Sequence, residues 1–131
     1  MLQKLQSRRG GFTLVEIMIV VAIIALLAAI AVPNFLRARK RTQATQTLED
    51  LRMLDSALDQ YAIENNKQAG NAANFADLQG YIKSGSRLYT GGGAVYQSAY
   101  SVDSLPRVPA SAWSSYSDVA PSTFWAPYSV N

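Results

Sequence analysis

The chain has 131 residues, the size of one domain, with a formal charge of +3 and neither cysteine nor histidine. Without thiol or imidazole, disulfides, zinc sites and Ser-His or Cys-His catalysis are excluded. The surplus charge is local. Lys4, Arg8 and Arg9 precede the first acid, and from Phe12 onward nine Lys/Arg balance nine Asp/Glu, so a bulk basic surface for nucleic acid is not supported. Nothing in the spacing of the nine acids marks a general acid–base pair, and the chain is read as not an enzyme.

In chain order, a basic leader comes first, then an apolar block. From Phe12 to Leu36 the only polar side chains are Thr13, Glu16 and Asn34. At about 1.5 Å per residue, roughly 20 helical residues cross a bilayer core about 30 Å thick, and this block is long enough. Thirteen Leu, Ile, Val or Phe residues between Phe12 and Val32 outweigh one acid in the transfer balance, so insertion is favoured in spite of Glu16. The block is longer than the apolar stretch of a secretory signal and runs straight into a polar helix-forming segment. Cations flank both ends, Arg37, Arg39, Lys40 and Arg41 following the block, so charge bias alone does not orient it. The short leader and the larger C-terminal part place the leader in the cytoplasm. An acid inside an apolar helix is costly and marks Glu16 as functional.

Residues Arg9-Gly10-Gly11-Phe12-Thr13-Leu14-Val15-Glu16 resemble the processing motif of type IV pilins and type II secretion pseudopilins. In that family a basic leader ends in glycine, a methylatable residue follows, and glutamate stands fifth in the mature chain. The resemblance implies cleavage between Gly11 and Phe12, N-methylation of Phe12, and an assembly role for Glu16. Pro33 matches a proline common in the family and is expected to break the helix, by a kink or by melting when subunits pack. Glycine at the cut fits physically, because it offers a peptidase cleft no side chain. The implied partners are identical subunits in a helical filament, a prepilin peptidase/methyltransferase and an assembly-platform membrane protein.

Beyond the basic cluster, Ala44, Leu48, Leu51, Leu54, Leu58 and Tyr61 recur at helical spacing, with Glu49, Asp50, Arg52, Asp55 and Asp59 covering most of the remaining circumference. One amphipathic helix ending near Asn65–Asn66 is predicted. Asn74, with Asp77 three residues on, predicts the N-cap of a short helix through Leu78 that Gly80 stops. Leu88–Thr90, Gly91-Gly92-Gly93 and Ala94–Val102 are read as a β-hairpin, with Tyr96, Ser98, Tyr100 and Val102 on one strand face. Four prolines, Pro106, Pro109, Pro121 and Pro127, make the tail turn-rich, with one short strand expected around Thr123–Trp125.

The expected fold is α+β: a long N-terminal helix, half membrane and half amphipathic, packed on a small antiparallel sheet. The expected divisions are a leader (1–11), a transmembrane and assembly helix (12–36), an amphipathic helix (37–66) and a small globular region (67–131). Arg37–Arg41 is read as a headgroup anchor rather than a DNA contact, so nucleic acid is not expected as a partner. Trp113, Tyr116, Phe124, Trp125 and Tyr128 are read as packing on Leu51, Leu54 and Leu58 rather than as an adhesive surface. Asp103 and Asp118 resemble part of the calcium loop of the major pseudopilin. Two isolated acids supply few of the 6–8 oxygens calcium takes, so no cofactor is expected.

The chain is thus read as the filament subunit of a pilus or a secretion pseudopilus. A minor pilin acting as a binding module and a non-polymerising single-pass protein stand as alternatives. The implied location is the inner membrane with the C-terminus outside the cytoplasm, then a periplasmic or cell-surface filament.

Overall fold

The computed structural model describes residues 10–130, so the leader cations Lys4, Arg8 and Arg9 lie outside the described residues. In chain order the elements are α1 (Leu14–Glu64), β1 (Ala72–Asn74), α2 (Phe75–Leu78), a 3-10 turn (Gln79–Tyr81), α3 (Arg87–Val95), β2 (Ala99–Ser101), α4 (Ala110–Tyr116) and a second 3-10 turn (Ser122–Trp125). Two compact units divide the chain after Leu36.

The N-terminal unit is the apolar part of α1. It is long and apolar enough to cross a membrane, and none of that stretch is buried within the chain. Pro33 lies inside α1, which is continuous through it. A proline inside a helix removes one hydrogen bond, here to the carbonyl of Ala29, and the flanking turns hold the helix together.

The C-terminal unit, Arg37 onward, is built around the second half of α1. Ala44, Leu48, Leu51, Leu54 and Leu58 are buried and Tyr61 half-buried, as their spacing predicts. Fully burying each leucine stabilises by about 1.5–3 kcal/mol. α1 ends where Asn66 takes a left-handed φ of 50°. The Lys67 amide then donates to the Ala62 carbonyl at 2.9 Å and the Asn66 amide to the Ile63 carbonyl at 3.4 Å, satisfying carbonyls the helix leaves open.

Two hydrophobic clusters share this helix as a wall. Leu54, Ala57 and Leu58 pack with Ala73, Leu78, Ile82, Leu88, Tyr100 and Val102. Ala44, Leu48 and Leu51 pack with Val108, Ala112, Ala120, Trp125 and Tyr128. Trp113, Tyr116 and Phe124 border the second cluster, half-buried. The tail aromatics are core, as expected, but their seat is Ala44, Leu48 and Leu51; Leu54 and Leu58 belong to the other cluster.

The sheet is small and antiparallel, and the long helix packs on it, giving the α+β fold. β1 pairs with β2 in the register Ala72↔Ser101, Ala73↔Tyr100 and Asn74↔Ala99. The Phe75 amide donates to the Ser98 carbonyl at 3.0 Å and the Val102 amide to the Asn71 carbonyl at 2.9 Å, continuing the ladder at both ends. This corrects the expected hairpin. Leu88–Thr90 and the three glycines are helical in α3, and Ala94–Val102 does not form one strand. Of the residues assigned to one strand face, Tyr96 caps α3 and only Tyr100 lies in β2.

Two local features drive α3. Ser86 is its N-cap, the side-chain oxygen accepting from the Tyr89 amide at 3.1 Å. Gly92 and Gly93 then let the Phe75 ring lie against the helix backbone: a Cβ on Gly92 would stand 2.7 Å from both Phe75 Cζ and Leu88 Cδ1. Close approach across the helix outweighs the low helix propensity of glycine. α2 begins after Asn74, whose amide donates to the Asp77 carboxylate at 2.9 Å. α2 ends at Leu78 as expected, and the chain continues through Gly80 as a 3-10 turn. The short strand expected at Thr123–Trp125 is the second 3-10 turn, held by the Trp125 indole N–H donating to the Ala120 carbonyl at 3.2 Å.

Candidate functional site

Gly10, Gly11 and Phe12 precede α1 in non-helical, exposed backbone, and the Phe12 ring is 84% exposed. A Cβ built at Gly10 or Gly11 meets nothing within 4 Å. The fold of this chain therefore demands glycine at neither position. A requirement for glycine there comes from whatever binds the junction.

Helix α1 begins immediately afterwards, and its first turn is closed by a reciprocal pair. The Thr13 amide donates to Glu16 Oε2 at 2.9 Å, and the Glu16 amide donates to Thr13 Oγ1 at 3.2 Å. The Ile17 amide donates to the Thr13 carbonyl at 3.3 Å. This is a capping box, in which a threonine and a glutamate three residues on satisfy two amides that a helix start leaves open. Thr13-x-x-Glu16 is legible in the sequence as that motif. Glu16 thus lies folded back on its own helix start, within one turn of Phe12, and among the described residues it joins no ion pair.

The other polar groups have structural tasks. Asp50 was grouped with the polar face by its spacing, yet it is 8% exposed. Its Oδ2 accepts from Arg87 Nη2 and from the Tyr96 hydroxyl, each at 2.6 Å. Burial, then the bond to Asp50, pushes the Tyr96 hydroxyl well above the usual phenol range. Burial also pushes Tyr100 up to about 12. Lys40 Nζ pairs with Asp118 Oδ2 at 2.8 Å, which lowers the Asp118 carboxyl below its ordinary value. Arg37, Arg39 and Arg41 are exposed. Asp103 takes a left-handed φ of 66°, and among the described residues no three metal-ligating side chains cluster. A cleft of about 520 Å³ beside β2 is lined by Gln97, Tyr100, Ser101, Asp103, Arg107 and Ser129 among others.

The N-terminal unit thus combines an exposed Gly-Phe junction, a capped helix start with its one acid, and an apolar helix buried by nothing in its own chain. The family model of the prokaryotic N-terminal methylation motif matches residues 6–32. On this segment the chain is similar to type IV pilins and type II secretion pseudopilins. It is 44% identical over 68 residues to the type IV wide pilus major component PilA4 of Thermus thermophilus, covering 52% of either chain. It is 36% identical over 62 residues to type II secretion system core protein G of Aeromonas hydrophila, covering 47% of this chain and 43% of that one. With the type IV major pilin protein PilA of Myxococcus xanthus it shares 38% identity over 79 residues, 59% of this chain and 36% of the relative. The chain thus spans about half or less of the length of these relatives. No solved structure matches it.

Proposed function

We propose that the chain is a structural subunit of a helical filament, a type IV pilus or a type II secretion pseudopilus, with no catalytic activity of its own. In this reading a prepilin peptidase/methyltransferase cuts between Gly11 and Phe12 at the cytoplasmic face and methylates the new α-amine. An assembly-platform protein then feeds the subunit, C-terminal unit outward, into a filament held by the apolar half of α1. The observation that carries the reading is the apolar helix itself. From Leu14 to Leu36 it finds no partner in its own chain, and the surfaces that take such a helix are lipid and other helices like it. The relatives include both pilus and secretion subunits, and the reading embraces both.

Glu16 has a second task in this scheme. Leader removal creates an amine at Phe12, and a buried amine is expensive unless paired. A Glu16 carboxylate, on the same chain or a neighbour, supplies the counter-charge, and removing one partner of such a pair costs about 3–5 kcal/mol. Capping and charge can be separated. Glu16→Gln keeps an acceptor for the Thr13 amide and loses the charge, whereas Glu16→Ala loses both. If charge matters, both variants insert and lose the leader but fail to polymerise. A Glu16→Gln chain that yields normal filaments in the sheared fraction refutes the charge role. Pro33 belongs to the same scheme: the helix before it melts where neighbouring helices can shield the freed carbonyls.

The deciding experiment is the mass of the N-terminal peptide from membranes and from sheared filaments. It begins at Phe12 with one added methyl group on the α-amine. A peptide beginning at Met1 in filaments, or a Gly11→Leu chain that still loses its leader, overturns the reading.

A further inference from the structure

Four cations in five residues, Arg37, Arg39, Lys40 and Arg41, follow the apolar stretch directly on the same helix. With 3.6 residues per turn they stand at about 0°, 200°, 300° and 40° around its axis. Arg37, Lys40 and Arg41 share an arc of about 100° and Arg39 stands on the opposite side, so with Arg39 the cations reach around the helix as a collar. A duplex or a protein surface approaching a helix engages one side and would leave Arg39 unused. A single helix in a bilayer is surrounded by headgroups on every side. Arg37, Arg39 and Arg41 are exposed, and none joins an ion pair among the described residues. Lys40 differs: its ammonium is held by Asp118 at 2.8 Å.

We propose that this collar is an anionic-phospholipid site. Arg37, Arg39 and Arg41 take the phosphates of headgroups around the helix, and Asp118 holds the fourth cation back from them. The occupant follows from continuity with the apolar stretch, which sets the collar at the depth of the headgroups once the helix is in a bilayer. Arginine suits the task, since its planar fork meets phosphate oxygens in pairs. The inference requires only that the helix inserts, not that the chain polymerises. It fails or stands independently of the filament reading.

The test uses the full chain reconstituted in phosphatidylcholine bilayers with a trace of spin-labelled phosphatidylglycerol or phosphatidylcholine. The fraction of each label immobilised at the protein gives its relative affinity. The wild-type chain prefers phosphatidylglycerol by roughly five-fold per engaged cation at low salt. The preference collapses near 1 M salt, where the Debye length is about 3 Å. Replacing Arg37, Arg39 and Arg41 together by Gln removes most of it, leaving what the leader cations contribute. Asp118→Asn moves it the other way by freeing Lys40, so the two variants bracket the wild type. Equal immobilisation of both lipids by the wild type overturns the proposal, as does a triple variant that keeps the full preference. An Asp118→Asn chain with no gain overturns the role given to Lys40. Salt-dependent retention of a short DNA duplex without any lipid preference overturns the proposal in favour of a nucleic-acid collar.

Discussion

The three consecutive glycines of α3 separate helix propensity from packing. Alanine is favoured over glycine inside a helix by about 1 kcal/mol, and each Gly→Ala change in α3 receives that gain. The packing response differs by position. At Gly91 a new Cβ meets nothing within 4 Å. At Gly92 it stands 2.7 Å from Leu88 Cδ1, 2.7 Å from Phe75 Cζ and 2.8 Å from Phe75 Cε2. Carbon pairs are comfortable at about 3.5–4.0 Å, so the overlap is close to 1 Å on two sides. Leu88 is fully buried and has nowhere to go. Overpacking of this kind costs about 1–3 kcal/mol. Gly91→Ala therefore stabilises by about 1 kcal/mol, and Gly92→Ala falls about 1–3 kcal/mol below it, since the shared propensity gain cancels in the comparison. Gly93→Ala lies between them, because its Cβ meets only Phe75, at 2.9 Å and beyond, and that ring is half-buried. Denaturant unfolding of the full chain in detergent micelles, followed by Trp113 and Trp125 fluorescence, gives the three midpoints. A Gly92→Ala chain as stable as Gly91→Ala refutes the packing of Phe75 on α3, and with it the helical assignment of the glycines.

Three further outcomes follow from the C-terminal unit. Trp125→Ala removes the largest fully buried side chain and lowers stability by about 3–5 kcal/mol in the same unfolding assay, whereas Trp113→Ala, half-buried, costs less. Asp50→Ala leaves the Tyr96 hydroxyl without its acceptor and costs about 1–3 kcal/mol; Tyr96→Phe costs less, because Asp50 keeps Arg87, and equal losses would contradict the geometry. Asp118 titrates below its ordinary value because Lys40 stabilises the carboxylate, so the pair contributes above the ordinary aspartate pKa, and its contribution is lost as pH falls through the lowered one. Carboxyl carbon shifts show this midpoint rising in Lys40→Met.

The features legible in the sequence were those set by one periodicity or one local motif. The buried stripe from Ala44 to Leu58 follows from 3.6-residue spacing, and the end of α1 from asparagines that tolerate a left-handed turn. The hairpin reading failed because three glycines are ordinarily turn formers. What favours glycine in the helix at Gly92 and Gly93 is Phe75, seventeen and eighteen residues upstream, a contact no local pattern carries. Ser86 as an N-cap was a signal the hairpin reading passed over. β1 is Ala-Ala-Asn, without a β-branched side chain, and exists because β2 offers it a ladder. Asp50 looked like one acid among several on a wet face; its burial depends on Arg87 and Tyr96 arriving from a different element. At the N-terminus Thr13-x-x-Glu16 carries a capping box in its spacing alone, and the structure forms it.

The C-terminal unit has one wall and two cores, and their membership is nearly disjoint. Tyr96 is the side chain that packs against both. Substitutions in the tail after Val108 are absorbed by Ala44, Leu48 and Leu51, while the sheet, α2 and α3 keep their own seat on Leu54, Ala57 and Leu58. Contacts that do not overlap leave sites nearly additive. Lineages can therefore rebuild the tail, the part richest in aromatic and serine side chains, without renegotiating the rest of the unit. The tail is free to drift or to be selected, while the wall beneath it stays the same.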